Sequence, residues 1–189
     1  MAARSANAPV ARYIALLRAI NVGGHVVTMD ALRAVFESLR FANVATFIAS
    51  GNVIFDGPSV SVAELEQTIE QHLAAKLGYP VATFVRTPGE LGAVVAARPF
   101  GADDPLDAGH ALSVGFVKSP PTPAAAAALL ALAGDVDDFR IIGREIFWRC
   151  RVRTSDSKFS GARLEKLLSG PVTFRNITTI RKLAARYCA

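Results

Sequence analysis

Apolar and polar positions along this chain repeat with two periods, and the change from one to the other is marked by Gly, Asn, Ser and Thr. Arg12 to Leu17 is apolar on both faces, which predicts a central strand covered on both sides. After Gly23-Gly24, Thr28 is placed to cap a helix, and Met29, Leu32, Val35, Phe36 and Leu39 fall on one stripe at helical spacing. Asn43 to Ala49 and Val53 to Phe55 read as the strands of a hairpin about Ser50-Gly51-Asn52. Ser61-Val62-Ala63-Glu64 is a capping box. Its helix turns Leu65, Ile69, Leu73 and Leu77 inward and stops at Gly78. Val81 to Arg86 is the next strand and completes the order βαββαβ.

The order then recurs. Pro88 to Ala97 reads as a connecting helix, and the acidic, Gly- and Pro-bearing stretch from Pro99 to Gly109 suits a boundary. Ala111 to Lys118 is a strand, and Thr122 with Pro123 starts an Ala-rich helix ending at Gly134. Phe139 to Ile142 and Glu145 to Cys150 form a hairpin across Gly143-Arg144. A helix over Ser157 to Leu168, a short strand at Val172 to Phe174 and a last helix over Ile177 to Arg186 follow. The expected fold is α+β: two ferredoxin-like (βαββαβ) units in tandem with a C-terminal helix. Residues 1–9 are expected to be a disordered tail, 10–98 the first unit and 99–189 the second, which ends in a basic helix. No residue-level repeat accompanies the repeated order, so the duplication rests on the elements alone.

Composition narrows the class. With 189 residues, half of them hydrophobic, the chain can bury a sizeable core. No apolar run approaches the ~20 residues of a membrane span, and Met1 to Pro9 has no apolar core of a secretory signal. Cys150 and Cys188 show no metal-ligand spacing. These features point to the cytoplasm, with no membrane partner, no metal and no cofactor expected. The net charge of +5 is unevenly spread: up to Phe139 there are 9 Lys/Arg and 13 Asp/Glu, whereas from Arg140 onward there are 12 and 3. A basic final quarter attracts nucleic acid, nucleotides or an acidic partner; it is equally what an Arg-solvated helical face produces.

Three polar segments carry the candidate chemistry. Arg18 to Gly24 lies between a strand and a helix, where phosphate loops are built; Gly23 and Gly24 let backbone N–H groups approach a ligand, Arg18 offers a bidentate charge and Asn21 a donor and an acceptor. It is neither G-x-G-x-x-G nor a P-loop, and a plain glycine turn accounts for it too. Ser50 and Asn52 flank Gly51 in a turn. In the βαββαβ order the first and third strands are neighbours, so that turn can lie at the same edge as Arg18. Arg175-Asn176 sits where a strand meets the last helix, with Asn176 as N-cap and Arg181, Lys182 and Arg186 largely on one side of the helix.

Other motifs are weaker. Ser155-Asp156-Ser157-Lys158 has the S-x-x-K spacing of serine acyl-enzymes without their other elements, and Asp156 or Ser157 as a helix cap explains it better. His25, His72 and His110 have no partner at metal-ligand spacing. His72 reads as surface, and His25 is the one to test as a base.

As an ordered set the segments resemble a bacterial family, domain of unknown function 1697. Its pattern runs L-L-R-G-I-N-V-G-G, M-x-x-L, S-G-N-V-x-F, P-F and T-x-R-N-W-x-T-x-x-K-L. The chain shows Leu16-Leu17-Arg18-Ala19-Ile20-Asn21-Val22-Gly23-Gly24, Met29 with Leu32, Ser50-Gly51-Asn52-Val53-Ile54-Phe55 and Pro99-Phe100. Later come Thr173-Phe174-Arg175-Asn176-Ile177-Thr178-Thr179 and Lys182-Leu183. Ala19 stands where the pattern has Gly, and Ile177 where it has Trp. The resemblance implies two ferredoxin-like halves and no particular activity.

Three readings of the polar set stand. The first is a binding module for an anionic ligand, nucleotide or nucleic acid, held by Arg18, Asn21, Gly23, Gly24, Ser50, Asn52, Arg175 and Asn176. The second is a small enzyme using the same pocket, with His25 as base. The third is a structural role, in which these residues join the two halves through buried hydrogen bonds. Oligomeric state is not legible.

Overall fold

In a computed structural model of the chain, residues 9–21, 24–48, 51–101 and 111–188 are described. Gly23, Ser50 and His110, the tail up to residue 8 and most of the acidic stretch after Pro99 lie outside the described residues. The chain divides into two compact units, Met1–Pro88 and Gly89–Ala189. The sequence expectation placed the helix after Arg86 with the first unit; its contacts group it with the second.

The first unit runs β1 (Val10–Leu17), α1 (Met29–Ser38), β2 (Ala42–Phe47), β3 (Asn52–Pro58), α2 (Val62–Leu77) and β4 (Thr83–Arg86). Its four strands form an antiparallel sheet in the order β2-β3-β1-β4. β1 is buried on both faces, as its unbroken apolar run requires: Tyr13, Ala15 and Leu17 face the helices, and Ile14 and Leu16 on the other face are equally inaccessible. Leu32 and Phe36 of α1 and Leu65, Ile69 and Leu73 of α2 close the core, with Met29, Val35, Leu39 and Leu77 at its margin.

The caps follow from local chemistry. Thr28 Oγ1 accepts from the Ala31 amide at 3.1 Å and Ser61 Oγ from the Glu64 amide at 3.2 Å, each satisfying a donor that the first helical turn leaves open. Between Ala42 and Ala45 the β2–β3 register shifts, where Asn43 takes a positive φ of 50° and its side-chain Nδ2 donates to Asp56 Oδ2 at 2.7 Å. β4 lies at the sheet edge, where strand N–H groups lack a ladder partner. Glu66 Oε1 accepts from the Val85 amide at 2.9 Å and Glu70 Oε1 from the Thr83 amide at 2.8 Å, so one face of α2 completes the bonding of that edge.

The second unit begins with α3 (Pro88–Ala96), followed by β5 (Ala111–Phe116), α4 (Pro123–Leu130), β6 (Asp137–Ile142), β7 (Glu145–Cys150), α5 (Gly161–Leu168), β8 (Thr173–Asn176) and α6 (Ile177–Tyr187). Its strands are again antiparallel, in the order β6-β7-β5-β8. In each sheet the first strand of the unit thus lies between the third and the fourth. Glu90 of α3 pairs with Arg144 of the β6–β7 turn at 2.5 Å, which ties α3 to this unit.

Two expectations need correction. The helix expected from Ser157 starts at Gly161, capped by Ser160, whose Oγ accepts from the Arg163 amide at 3.2 Å. Ser157 lies before the helix in extended backbone: its hydroxyl accepts from the Phe159 amide at 2.9 Å and donates to Asp137 Oδ2 at 2.7 Å, and Thr154–Asp156 forms a short 3₁₀ turn. His72 is half-buried rather than at the surface, with Nε2 2.7 Å from Ser38 Oγ.

Candidate functional site

The first two polar segments meet within the first unit. β1 ends at Leu17, whose amide donates to the Gly51 carbonyl at 2.8 Å, and the Arg18 amide donates to the Ala82 carbonyl at 2.8 Å. The end of β1 is therefore held on one side by the hairpin turn and on the other by the segment leading into β4. Gly51 takes the left-handed conformation (φ 70°), and a Cβ there would stand 3.1 Å from Leu17 Cβ and from Ile20 Cγ2. A side chain there would press on the loop and sit in a backbone conformation that favours glycine.

This edge carries backbone strain. Ala19 (φ 54°) and Ile48 (φ 51°) are left-handed without being glycine, and for a β-branched residue that conformation is an outlier. Ala19 is where the family pattern has Gly, so the loop keeps a glycine-type conformation with an alanine in place. Beyond it, Ile20 is buried while Arg18, Asn21, Gly24, His25 and Val26 are exposed. Asn21 Oδ1 accepts from the Val27 amide at 2.7 Å, closing the loop onto the start of α1. The Tyr79 hydroxyl donates to the Ile20 carbonyl at 2.9 Å, and the His25 ring stacks on Tyr79 at 3.9 Å between centroids.

The remaining polar residues divide by burial. Asn52 is fully buried, and its Nδ2 donates across the hairpin to the Phe47 carbonyl at 3.0 Å. Arg175, in the second unit, is buried with Nη1 donating to Thr173 Oγ1 at 2.9 Å and to the Phe174 carbonyl at 2.8 Å. Desolvation lowers its pKa to about 10, which leaves it charged at neutral pH. Asn176 Oδ1 accepts from the Thr178 amide at 2.8 Å and is the N-cap of α6, as the sequence predicts. Along that helix Lys182 and Arg186 are exposed, while Arg181 is half-buried.

The structure adds residues that sequence reasoning passed over. Arg86 is fully buried in β4; it pairs in register with Ile14 and donates Nη1 to the Val85 carbonyl at 2.9 Å. Arg175 pairs with Val114 in its own sheet and likewise bonds the carbonyl of the preceding residue. The one signal was an arginine within each unit's last strand.

A second cluster lies on β6 and β7. Asp138 bonds Arg149 and Arg140 at 2.8 and 2.7 Å, and both guanidinium groups lie over the Phe100 ring at 4.4 and 5.2 Å from its centroid. Burial works to raise the Asp138 pKa, but the Arg149 hydrogen bond and the Arg140 charge outweigh it, and the net shift is downward. The Pro99-Phe100 motif thus supplies the aromatic platform of a charge cluster.

Chemistry at the other candidates is quiet. Burial pushes the Cys150 thiol up, away from the reactive thiolate. Ser38 Oγ also contacts the Val35 carbonyl at 2.8 Å. If its single proton goes there, His72 donates to the hydroxyl, the reverse of a base activating a nucleophile. Among the described residues no group of three His, Cys, Asp or Glu is placed to hold a metal ion, and no helix is long and apolar enough to cross a membrane.

No curated protein matches the chain. A solved structure, that of the conserved bacterial protein SP0830 from Streptococcus pneumoniae, superposes with a TM-score of 0.73 at 24% identity, covering 96% of this chain and 100% of that one. At that identity the likeness speaks for the fold. The profile of the family described as protein of unknown function DUF1697 matches residues 10–147, taking in both the β1 loop and the hairpin turn. The chain belongs to the DUF1697 family.

Proposed function

We propose that the chain is a cytoplasmic binding module for an anionic ligand, a nucleotide or nucleic acid, received at the β1-loop edge of the first unit, and that each unit is ferredoxin-like. The observation that carries this is the placement of Arg18. Its backbone is fixed at the Ala82 carbonyl while its side chain is exposed, next to left-handed Ala19 and the Gly51 turn. Strain kept in such a backbone, beside exposed Asn21 and Gly24, is what a preorganised polar site requires. The basic α6 face adds long-range attraction for polyanions.

A second reading holds for Asn52 and Arg175. Both are buried and bonded to nearby backbone, which favours a structural role for these two.

The test is fluorescence anisotropy with a labelled single-stranded oligonucleotide, competed by ATP and repeated across salt concentrations. The expected result is binding that weakens steeply with salt, is lost in Arg18→Ala while that variant stays folded, and is reduced by charge reversal at Arg181 and Lys182. Wild-type binding no stronger than that of a charge-matched control protein would end the proposal.

A further inference from the structure

The loop between β1 and α1 is built around one aromatic stack. Tyr79, on the connection from α2 to β4, packs against the core of the first unit. Its hydroxyl donates to the Ile20 carbonyl at 2.9 Å, which fixes the ring beside the loop. His25 lies on that ring, with centroids 3.9 Å apart and planes 23° from parallel. The bond from the Val27 amide to Asn21 Oδ1 at 2.7 Å closes the stretch of chain that contains His25. The imidazole is thus held by a closed loop and by a buttressed ring on one face.

Among the described residues no second ring meets His25, and the residue is exposed. With one face on Tyr79, what the ring offers to water is its other face and its rim. Two large apolar residues of the same unit are exposed as well: Val26, next to it in the chain, and Ile48, ahead of the Gly51 turn. That turn packs on Ile20, the residue whose carbonyl anchors Tyr79.

We infer that His25, backed by Tyr79, is the stacking platform for a nucleobase whose phosphate is received at the β1-loop edge, an inference that rests on the anion-binding reading of that edge. Purines and pyrimidines stack on flat side chains, histidine included, through π faces that every base has. A ring already stacked and held by its loop loses little freedom when a base covers it. Phosphate or polyphosphate has no such face, so the platform separates nucleotides from other anions. A free nucleotide and a single strand of nucleic acid share this chemistry.

The experiment measures fluorescence anisotropy with the full chain, using a labelled single-stranded oligonucleotide and an abasic strand of the same length, charge and label. The wild type is expected to bind the base-bearing strand about tenfold tighter, the effect of one stacked base. His25→Ala is expected to remove most of that difference and leave the abasic strand's affinity unchanged, and His25→Trp to restore it. In ¹H spectra of the wild type the His25 ring protons are expected to move upfield with the oligonucleotide and not with the abasic strand. The same shift with AMP alone identifies a free nucleotide as sufficient; a shift with the strand only identifies nucleic acid. Equal binding of both strands, or an undiminished difference in His25→Ala, overturns the platform and leaves anion binding at the edge standing. Binding of neither strand above a charge-matched control protein overturns both. Should His25→Ala not fold, unmoved His25 ring protons in the saturated wild type overturn the platform by themselves.

Discussion

The Leu17 amide donates to the Gly51 carbonyl at 2.8 Å, and Leu17 Cβ stands 3.1 Å from where a Cβ on Gly51 would be. One contact thus joins the first two polar segments and sets the residue type that the turn accepts.

The first prediction follows from that contact. Gly51→Ala adds a methyl against Leu17 and Ile20 in a left-handed backbone, and is expected to lower stability by about 2–3 kcal/mol. Ala19→Gly removes strain at φ 54° and is expected to raise stability, by about 0.5–1 kcal/mol, because relief of the left-handed penalty exceeds the added freedom of the unfolded chain. Urea unfolding of both variants checks the pair; stabilisation by Gly51→Ala would contradict the geometry.

Burial separates two arginines that the sequence groups together. Arg175→Ala removes a buried side chain with bonds to Thr173 and Phe174 and is expected to cost about 2–4 kcal/mol. Arg175→Met, which keeps the apolar stem, is expected to lose less. Arg18→Ala, at an exposed residue, is expected to cost less than Arg175→Ala. Equal losses for Arg18→Ala and Arg175→Ala in denaturant titrations would refute the division.

Asp138 provides the pH dependence. Its folded pKa lies below the ordinary 3.8, so the unfolded chain binds its proton first as pH falls. The stability it contributes is full above the unfolded value and is lost as pH drops through the folded one. Asp138→Asn is expected to be less stable than wild type by about 1–3 kcal/mol at neutral pH. That gap is expected to close once the pH is taken well below 3.8. Unfolding free energies measured across that range decide it; a constant gap would mean that the Arg149 and Arg140 bonds do not depend on the carboxylate charge.

Legibility followed the range of the interaction. The caps at Thr28, Ser61, Thr122 and Asn176 bond amides two or three residues away, so the sequence alone shows them. Ser157 misled because its local bond, accepted from the Phe159 amide, closes a turn before the helix, while its proton goes to Asp137, twenty residues earlier in the chain, and Ser160 is the cap. Phe100 was legible as part of a motif, but not as a ring beneath Arg149 and Arg140, because that contact needs β6 and β7 side by side.

The sequence by itself determined the element order, the helix caps, the two-sided burial of β1, the family, and the adjacency of the Arg18 loop to the Gly51 turn. Each follows from short-range periodicity, capping chemistry or a fixed strand order. The tertiary structure decided which polar residues face solvent: Arg18 and Asn21 do, while Asn52, Arg86 and Arg175 do not. An arginine at a strand end reads the same whether buried or exposed. Only packing from elsewhere in the chain removes water from one and leaves it on the other.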